Sequence, residues 1–353
     1  MNVVIIGGGA AGISSAIVAA RENPQAKIEI IEKNSSLGKK LLATGNGKCN
    51  ISNVNGEDIA SVLLLFDSIG LMIREEDEGR LYPYSEQASS VVEAFEREID
   101  RLGIKKRFNT EVERIEKSKN GFKIILKSGE PVFADRIAVT TGGKAAPQFG
   151  TTGDGYRFAK NLGHSITKLA PALMPVICEG EFDGIKGVRV KGTATLLKKG
   201  NPLAIEKGEI QVTDQGLSGI CIFNLSRLLK IEEGKNLHDG FKEYSIVLDL
   251  VPETSLQMLT DYLLQKQNKM PDEMAPAILH SMLPNKLANF VCERTLGRKD
   301  RKVSEITASE MEKLSNSMKA LTFTVTGGKG WKEAQCTSGG VAIEEINLSL
   351  IHI

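Results

Sequence analysis

The residue types and spacings that suggest chemistry in this chain lie at its amino end. Gly7, Gly9 and Gly12 stand on the G-x-G-x-x-G spacing, and a carboxylate, Glu32, follows twenty residues after the last of them. That set suits a dinucleotide. Gly7 permits a tight turn, Gly9 lets the backbone approach a diphosphate, and Gly12 lets a following helix lie close to the preceding strand. A helix over residues 11–20, with Ala10 and Ala11 at its opening, would aim unbonded N–H groups and the positive end of its dipole at that diphosphate. Glu32 can accept both hydroxyls of an adenosine ribose, whereas its charge repels a 2′-phosphate. The adenylate expected here therefore belongs to FAD or NAD and not to NADP.

The elements that must position these residues surround them. Val3-Val4-Ile5-Ile6 is a run of four β-branched residues, the pattern of a strand buried on both faces, and residues 27–31 form a second strand that delivers Glu32 to the sheet edge. Strand, glycine turn, helix, strand and acid in that order make a βαβ unit. Residues 34–53 are too rich in glycine, lysine and asparagine for a regular element and are expected to be a ligand-lining loop. Within and beside it, Gly45 and Gly47 allow close backbone approach, while Lys33, Lys40, Asn46 and Asn50 offer donors to phosphate or to a carbonyl edge. Cys49 is expected to be a small buried residue packed beneath the ligand rather than a nucleophile, because neither a resolving cysteine nor a paired histidine lies near it.

Composition narrows the classes. In 353 residues, 41% apolar, Lys and Arg number 45 against 44 for Asp and Glu; this near-neutral balance gives no general attraction for nucleic acid or acidic lipid. The five cysteines contain no C-x-x-C pair, which argues for reduced thiols and against a disulfide framework or zinc site. His164, His238 and His280 have no metal-ligand spacing, and His164 sits where a helix carboxyl end would favour it. No apolar run is long enough to span a bilayer, and a cytoplasmic protein with no membrane partner is expected.

Further along, residues 59–70 and 89–102 read as amphipathic helices, and residues 111–115 and 122–126 as a strand pair joined by a turn. Residues 135–139 return to the parallel sheet and end in Thr141, Gly142 and Gly143 at its ligand-binding edge. Asp154 opens a helix over residues 156–162 and could cap it or bind a hydroxyl. Prolines from Pro171 onward break the α/β alternation. Strands over residues 188–197, 203–204, 208–213 and 244–250 suggest a small antiparallel barrel, which residues 321–325 rejoin. Helices are expected over residues 255–264, 275–282, 285–293 and 307–318, the last opened by Thr307 and Glu310 at capping-box spacing.

The run GKKLLATGNGKCNISN, together with the amino-terminal βαβ unit, resembles the BaiN-like and aminoacetone-oxidase-like family of NAD(P)/FAD-dependent oxidoreductases. The resemblance implies an α/β fold: a Rossmann-like, two-dinucleotide-binding FAD domain with an inserted β-barrel and a small helical domain. Mapped onto this chain, residues 1–170 would be the first part of the FAD domain, 171–254 and 319–335 the barrel, 255–318 the helical insertion, and 336–353 the start of the return. It further implies that the loop around Gly45, Asn46, Gly47, Cys49 and Asn50 lies beside FAD, that Val112 touches adenine, and that the segment with Thr141, Gly142 and Gly143 closes over the diphosphate. Asp154 would stand near the isoalloxazine, and residues 214–219 would face the flavin from the second domain.

Members of that family continue past the point where this chain stops. A truncated carboxyl terminus is therefore expected, and residues 348–353, His352 among them, read like a translated sequencing adapter. The expected function is an FAD-dependent oxidoreductase that passes hydride between NAD(P)H or an organic donor and a small, enone-type hydrophobic substrate. The alternatives are a flavin-dependent amine oxidase using molecular oxygen, an NAD-dependent dehydrogenase, and a non-catalytic flavin-binding protein. No residue is assigned as catalytic acid or base, and the sequence assigns no oligomeric state.

Overall fold

The structure is a computed structural model and describes residues 1–230 and 237–347. The chain divides into two compact units, Met1–Ala170 with the return from Gly339, and Pro171–Ser338.

The first unit is organised by a four-stranded parallel sheet. Its order is Arg136–Val139, β1 (Asn2–Ile6), β2 (Lys27–Ile31), Lys105–Arg107, with α1 (Ala10–Glu22) crossing from β1 to β2. The run of β-branched residues in β1 divides by alternation. Val3 and Ile5 enter a core with Ile13 and Ile17 of α1 and Phe95 and Ile99 of the helix Ala88–Arg101. Val4 and Ile6 enter a second core with Val112, Ile124 and Phe158. Both faces of the strand are covered, which is why its sequence lacks polar alternation.

The second core is floored by a three-stranded meander, Val112–Ser118, Gly121–Leu126 and Pro131–Ala134. Its last strand is four residues long and opens on a proline, so it carries little sequence pattern. Residues 34–53 are not one irregular loop as expected from composition: Lys39–Ala43 forms a short helix, α2, and Thr44–Gly47 a 3-10 turn. Gly38, at φ +66, lets the chain turn into α2.

The second unit holds a closed antiparallel barrel. Around it run Val176–Cys178, Gly216–Ser218, Asn201–Val212, Arg189–Lys198, Tyr244–Asp249 and Leu321–Gly328. Ala194, Leu196, Ile210, Ile246 and Val325 are buried in the core it shares with the helices Leu256–Lys269, Asn285–Leu296 and Ala308–Lys319.

Three expectations are corrected here. The two short strands over 203–204 and 208–213 are one continuous strand, because Gly208 pairs with Gly192 in the ladder and does not interrupt it. Residues 216–218 are a barrel strand rather than loop. The segment 275–282 makes only the 3-10 turn Ala275–Ile278, in which the N–H groups of Ala277 and Leu279 bond the carbonyls three residues back. The capping box is present: the Thr307 hydroxyl accepts from the Glu310 N–H, and the Glu310 carboxylate accepts from the Thr307 N–H.

Candidate functional site

A cleft of about 640 Å³ opens in the first unit where β1 and β2 end. Its floor is the glycine turn after β1. One wall runs from Ile31 to Leu41 and the other from Val139 to Ala159. This is the crevice beyond the carboxyl ends of parallel strands where α/β folds bind ligands.

The glycines of the floor differ in what they permit. Gly7 has φ +107, and a Cβ there would meet the Thr140 carbonyl oxygen at 2.6 Å. A Cβ on Gly12 would lie 1.9 Å from the Gly7 carbonyl oxygen, so α1 packs against the strand only because that atom is absent. At Gly9 a Cβ would find nothing within 4 Å, and bare backbone faces the cleft. Gly9 is also the N-cap of α1; no side chain caps this end, and no acidic residue occupies the first turn. The first-turn N–H groups thus have no intrahelical acceptor and meet the cleft with the positive end of the dipole.

Glu32 is only 8% exposed. Its Oε2 accepts the Gly8 N–H at 2.7 Å, and its Oε1 accepts both the N–H and the side-chain Nδ2 of Asn34, each at 2.7 Å. A carboxylate oxygen has room for about two donors, so Oε2 keeps an acceptor direction while Oε1 is filled. Glu32 therefore has a task in the protein itself, clamping the glycine turn to the end of β2.

Lysines tie the two walls together. Lys33 Nζ donates to Asp154 Oδ2 at 2.8 Å and to Thr152 Oγ1 at 3.0 Å, and the Thr152 hydroxyl donates to the same carboxylate. Lys40 Nζ donates to the Ala145 carbonyl at 2.9 Å and to Thr151 Oγ1 at 3.2 Å. Burial pushes the Asp154 carboxyl up, but the bonds from Lys33 and Thr152 and the charges of Lys33 and Arg157 outweigh it and hold it below its ordinary value. Asp154 is thus ionised at neutral pH. It does not cap its helix, which runs Asp154–Asn161 with Gly153 as N-cap; its carboxylate is turned to Lys33 instead, which corrects the capping expectation.

Of the residues singled out in the sequence, Gly7, Gly9, Ala10, Ala11, Glu32, Lys33, Lys40, Val112, Thr141, Gly142 and Asp154 border this cleft. Gly12 lies beneath it. Gly45, Asn46, Gly47, Cys49, Asn50 and Gly143 are outside its walls. The chain turns away there, with Gly45, Asn46, Gly47 and Cys49 all at positive φ. Cys49 is buried, and burial pushes its thiol up against a smaller lowering effect of a bond with Thr44, so at neutral pH it is protonated and unreactive. The Thr141 hydroxyl is buried without a hydrogen-bond partner.

Sequence reasoning did not single out Gly8, Phe149, Thr151 or Tyr156 and placed Asn34 only within the 34–53 loop; all five line the cleft. Asn34 was findable, since it stands two residues beyond the acid; the others needed the fold. His164 closes its helix: its N–H bonds the Ala159 carbonyl while the Gly163 N–H bonds that of Lys160, a Schellman ending. Its ring nitrogen Nδ1 lies 3.3 Å from Glu345 Oε2. Residues 348–353 and the His238 side chain fall outside the described residues. Among the described residues there is no cluster of His, Cys, Asp and Glu suited to a metal, and no helix long and apolar enough to cross a membrane.

Known proteins resemble this chain along nearly its full length. The model of the HI0933-like protein Rossmann domain matches residues 57–353. The chain is 33% identical to the 3-dehydro-bile acid delta(4,6)-reductase of Clostridium scindens, over 98% of this chain and 88% of that one. It is 25% identical to the ribosomal RNA dihydrouridine synthase of Haemophilus influenzae, over 98% of this chain and 86% of that one. Among solved structures, Thermovibrio ammonificans THI4 aligns at a TM-score of 0.35 and 14% identity, covering 47% of this chain and 64% of that one. With its Rossmann-like α/β fold and closed barrel, this chain is an enzyme of the flavoprotein oxidoreductase class. It belongs to the HI0933-like Rossmann-domain family.

Proposed function

We propose that this chain is an FAD-dependent reductase that adds hydride to a carbon–carbon double bond conjugated with a carbonyl, in a small hydrophobic substrate, using NAD(P)H as donor. The observation that carries the cofactor reading is the floor of the cleft: an uncapped helix amino end, a glycine with nothing above it, and a buried carboxylate beside them.

The donor set suits FAD. The first-turn N–H groups of α1 and the backbone at Gly9 are matched to a diphosphate, and Glu32 Oε2 to a ribose hydroxyl. Val112 borders the cleft, and adenine would lie against it. On this reading residues 1–170 and the return from Gly339 form the FAD domain, and Lys33, Lys40, Gly142 and Asp154 surround the cofactor. Gly45, Asn46, Gly47, Cys49, Asn50 and Gly143 shape the loops around it. Bound FAD supplies hydride transfer between donor and substrate; the protein binds, orients and shields it.

The substrate class rests on what similar proteins are named for. The delta(4,6)-reductase acts on a ring that bears an oxo group, and a dihydrouridine synthase saturates the ring double bond beside a uracil carbonyl. Both names describe addition of two hydrogens to an activated double bond. The higher identity to the bile-acid enzyme and the net charge of +1 favour a small hydrophobic molecule over RNA. In line with its five free cysteines, we place the enzyme in the cytoplasm.

The test is anaerobic. Purified protein is mixed with NADH or NADPH, and a separate sample of the oxidised protein with a primary amine, and flavin bleaching is followed in both; the nicotinamide-reduced enzyme is then offered a 3-oxo-4-ene steroid or a uracil-containing ribosomal RNA fragment. Bleaching by a nicotinamide and reoxidation by the steroid support the proposal. Reoxidation by the RNA alone would move the substrate to nucleic acid. Reduction by the amine, with no response to NAD(P)H, would make the protein an oxidase.

A further inference from the structure

The segment from Ala145 to Asp154 is held against the opposite wall of the cleft by side chains of that wall. It includes the 3-10 turn Pro147–Phe149 and contributes Phe149, Gly150, Thr151 and Asp154 to the cleft lining. Two lysines from the far wall pin it at both ends, Lys40 at Ala145 and Thr151, Lys33 at Thr152 and Asp154. Between these pins the Asn34 side chain fits against Gly150, where a Cβ would lie 2.6 Å from Asn34 Nδ2. Thr151 also donates to the Ala145 carbonyl at 2.7 Å, closing the segment on itself. The partners are 105 to 121 residues apart in sequence, so nothing local in the chain brings them together.

We infer that residues 145–154 are a strap across the cleft, and that Lys40, Thr151 and Lys33 are positioning residues that set how fast a dinucleotide enters and leaves. The inference rests on the reading of this cleft as the FAD site. A ligand lying between the two walls reaches the glycine turn only when the strap is open, so its association rate is scaled by the open fraction. The lysine bonds are charge-assisted and mostly to neutral oxygens, which makes them worth keeping yet breakable. Loosening a pin raises the open fraction and speeds entry and exit together. A lysine that simply held phosphate would instead slow entry when removed.

Thr151→Val separates these outcomes because it removes the hydroxyl that both accepts from Lys40 and donates to Ala145 without altering charge. In stopped-flow mixing of flavin-stripped full-length protein with FAD, it is expected to raise association and release each about fivefold, with little change in Kd. Amide exchange across residues 145–154 of the stripped protein should quicken by a similar factor. Lys40→Met is the second variant: its exchange over the strap should rise about tenfold, and its association should not fall, despite the lost cation. Association at the wild-type rate in Thr151→Val overturns the proposal, whatever release does; if that variant fails to fold, association below wild type in Lys40→Met does so. Should wild-type protein take up no FAD at all, the cofactor reading has failed, and the strap is decided by exchange alone, where unchanged exchange in both variants overturns it.

Discussion

Replacing Glu32 with glutamine isolates the double duty of that carboxylate. In the protein without ligand its two oxygens already accept three N–H donors, from Gly8 and twice from Asn34. Glutamine has nearly the same shape but one oxygen and one NH₂. Turned either way, it sets donor against donor: toward Asn34 it retains two weakened bonds and leaves the Gly8 N–H facing an amide hydrogen. One lost charge-assisted bond and one buried N–H without a partner cost about 3 kcal/mol together. At about 2–4 °C per kcal/mol for a unit of this size, unfolding of the stripped protein should move down by roughly 6–12 °C. Calorimetry of flavin-stripped wild type and variant reads this directly, and the FAD dissociation constant, measured alongside, should also rise. A variant whose stripped form melts within about a degree of wild type would refute the clamp and leave Glu32 as a ligand residue only.

The glycine floor makes a paired prediction. Gly12→Ala should lower the stability of stripped protein by about 3 kcal/mol, because its Cβ would meet the Gly7 carbonyl, whereas Gly9→Ala should melt like wild type and lose FAD affinity about tenfold or more; equal melting shifts in the two would contradict the assignment. Glu98 is buried, and the hydrogen bond from Arg101, with Arg21 adding to it against the effect of burial, lowers its carboxyl to about 2. A folded-state value below the unfolded one means that this group stabilises at higher pH, so the difference in unfolding free energy between wild type and Glu98→Gln should be full above about pH 5 and shrink as pH falls toward 2. A pH-independent difference would be evidence against the ion pair. Iodoacetamide at neutral pH should leave Cys49 unmodified in the folded protein by peptide mass spectrometry, its thiol being buried and raised; rapid labelling there would reopen it as a nucleophile.

What was legible in the sequence was what short-range pattern dictates. β1, α1 and β2 follow from a β-branched run, three glycines and an alternating strand, and the helix Ala308–Lys319 from its capping box. Less legible were the barrel strands Val176–Cys178 and Gly216–Ser218, three residues each, too short for a period of two to show. They exist because the ladder on either side supplies their partners. The same holds at the cleft. Glu32 was visible as an acid at the right distance from the glycines, but its bond to Gly8 depends on how the turn closes. Lys33 and Asp154 meet across 121 residues, and no local pattern announces such a pair. The loop around Cys49 carries the family resemblance yet lies outside the cleft walls, since its positive-φ residues turn the chain aside.

The central claim is that the cleft over Gly9 and beside Glu32 holds FAD. Its most direct measurement is the identity and amount of cofactor released when the protein, purified from cells and reconstituted with FAD if needed, is denatured and the supernatant resolved by chromatography and mass. The account predicts FAD at one molecule per chain in the wild type and a large loss of it in Gly9→Ala, with the fold intact. Release of a different nucleotide, or of none even after reconstitution, would contradict it.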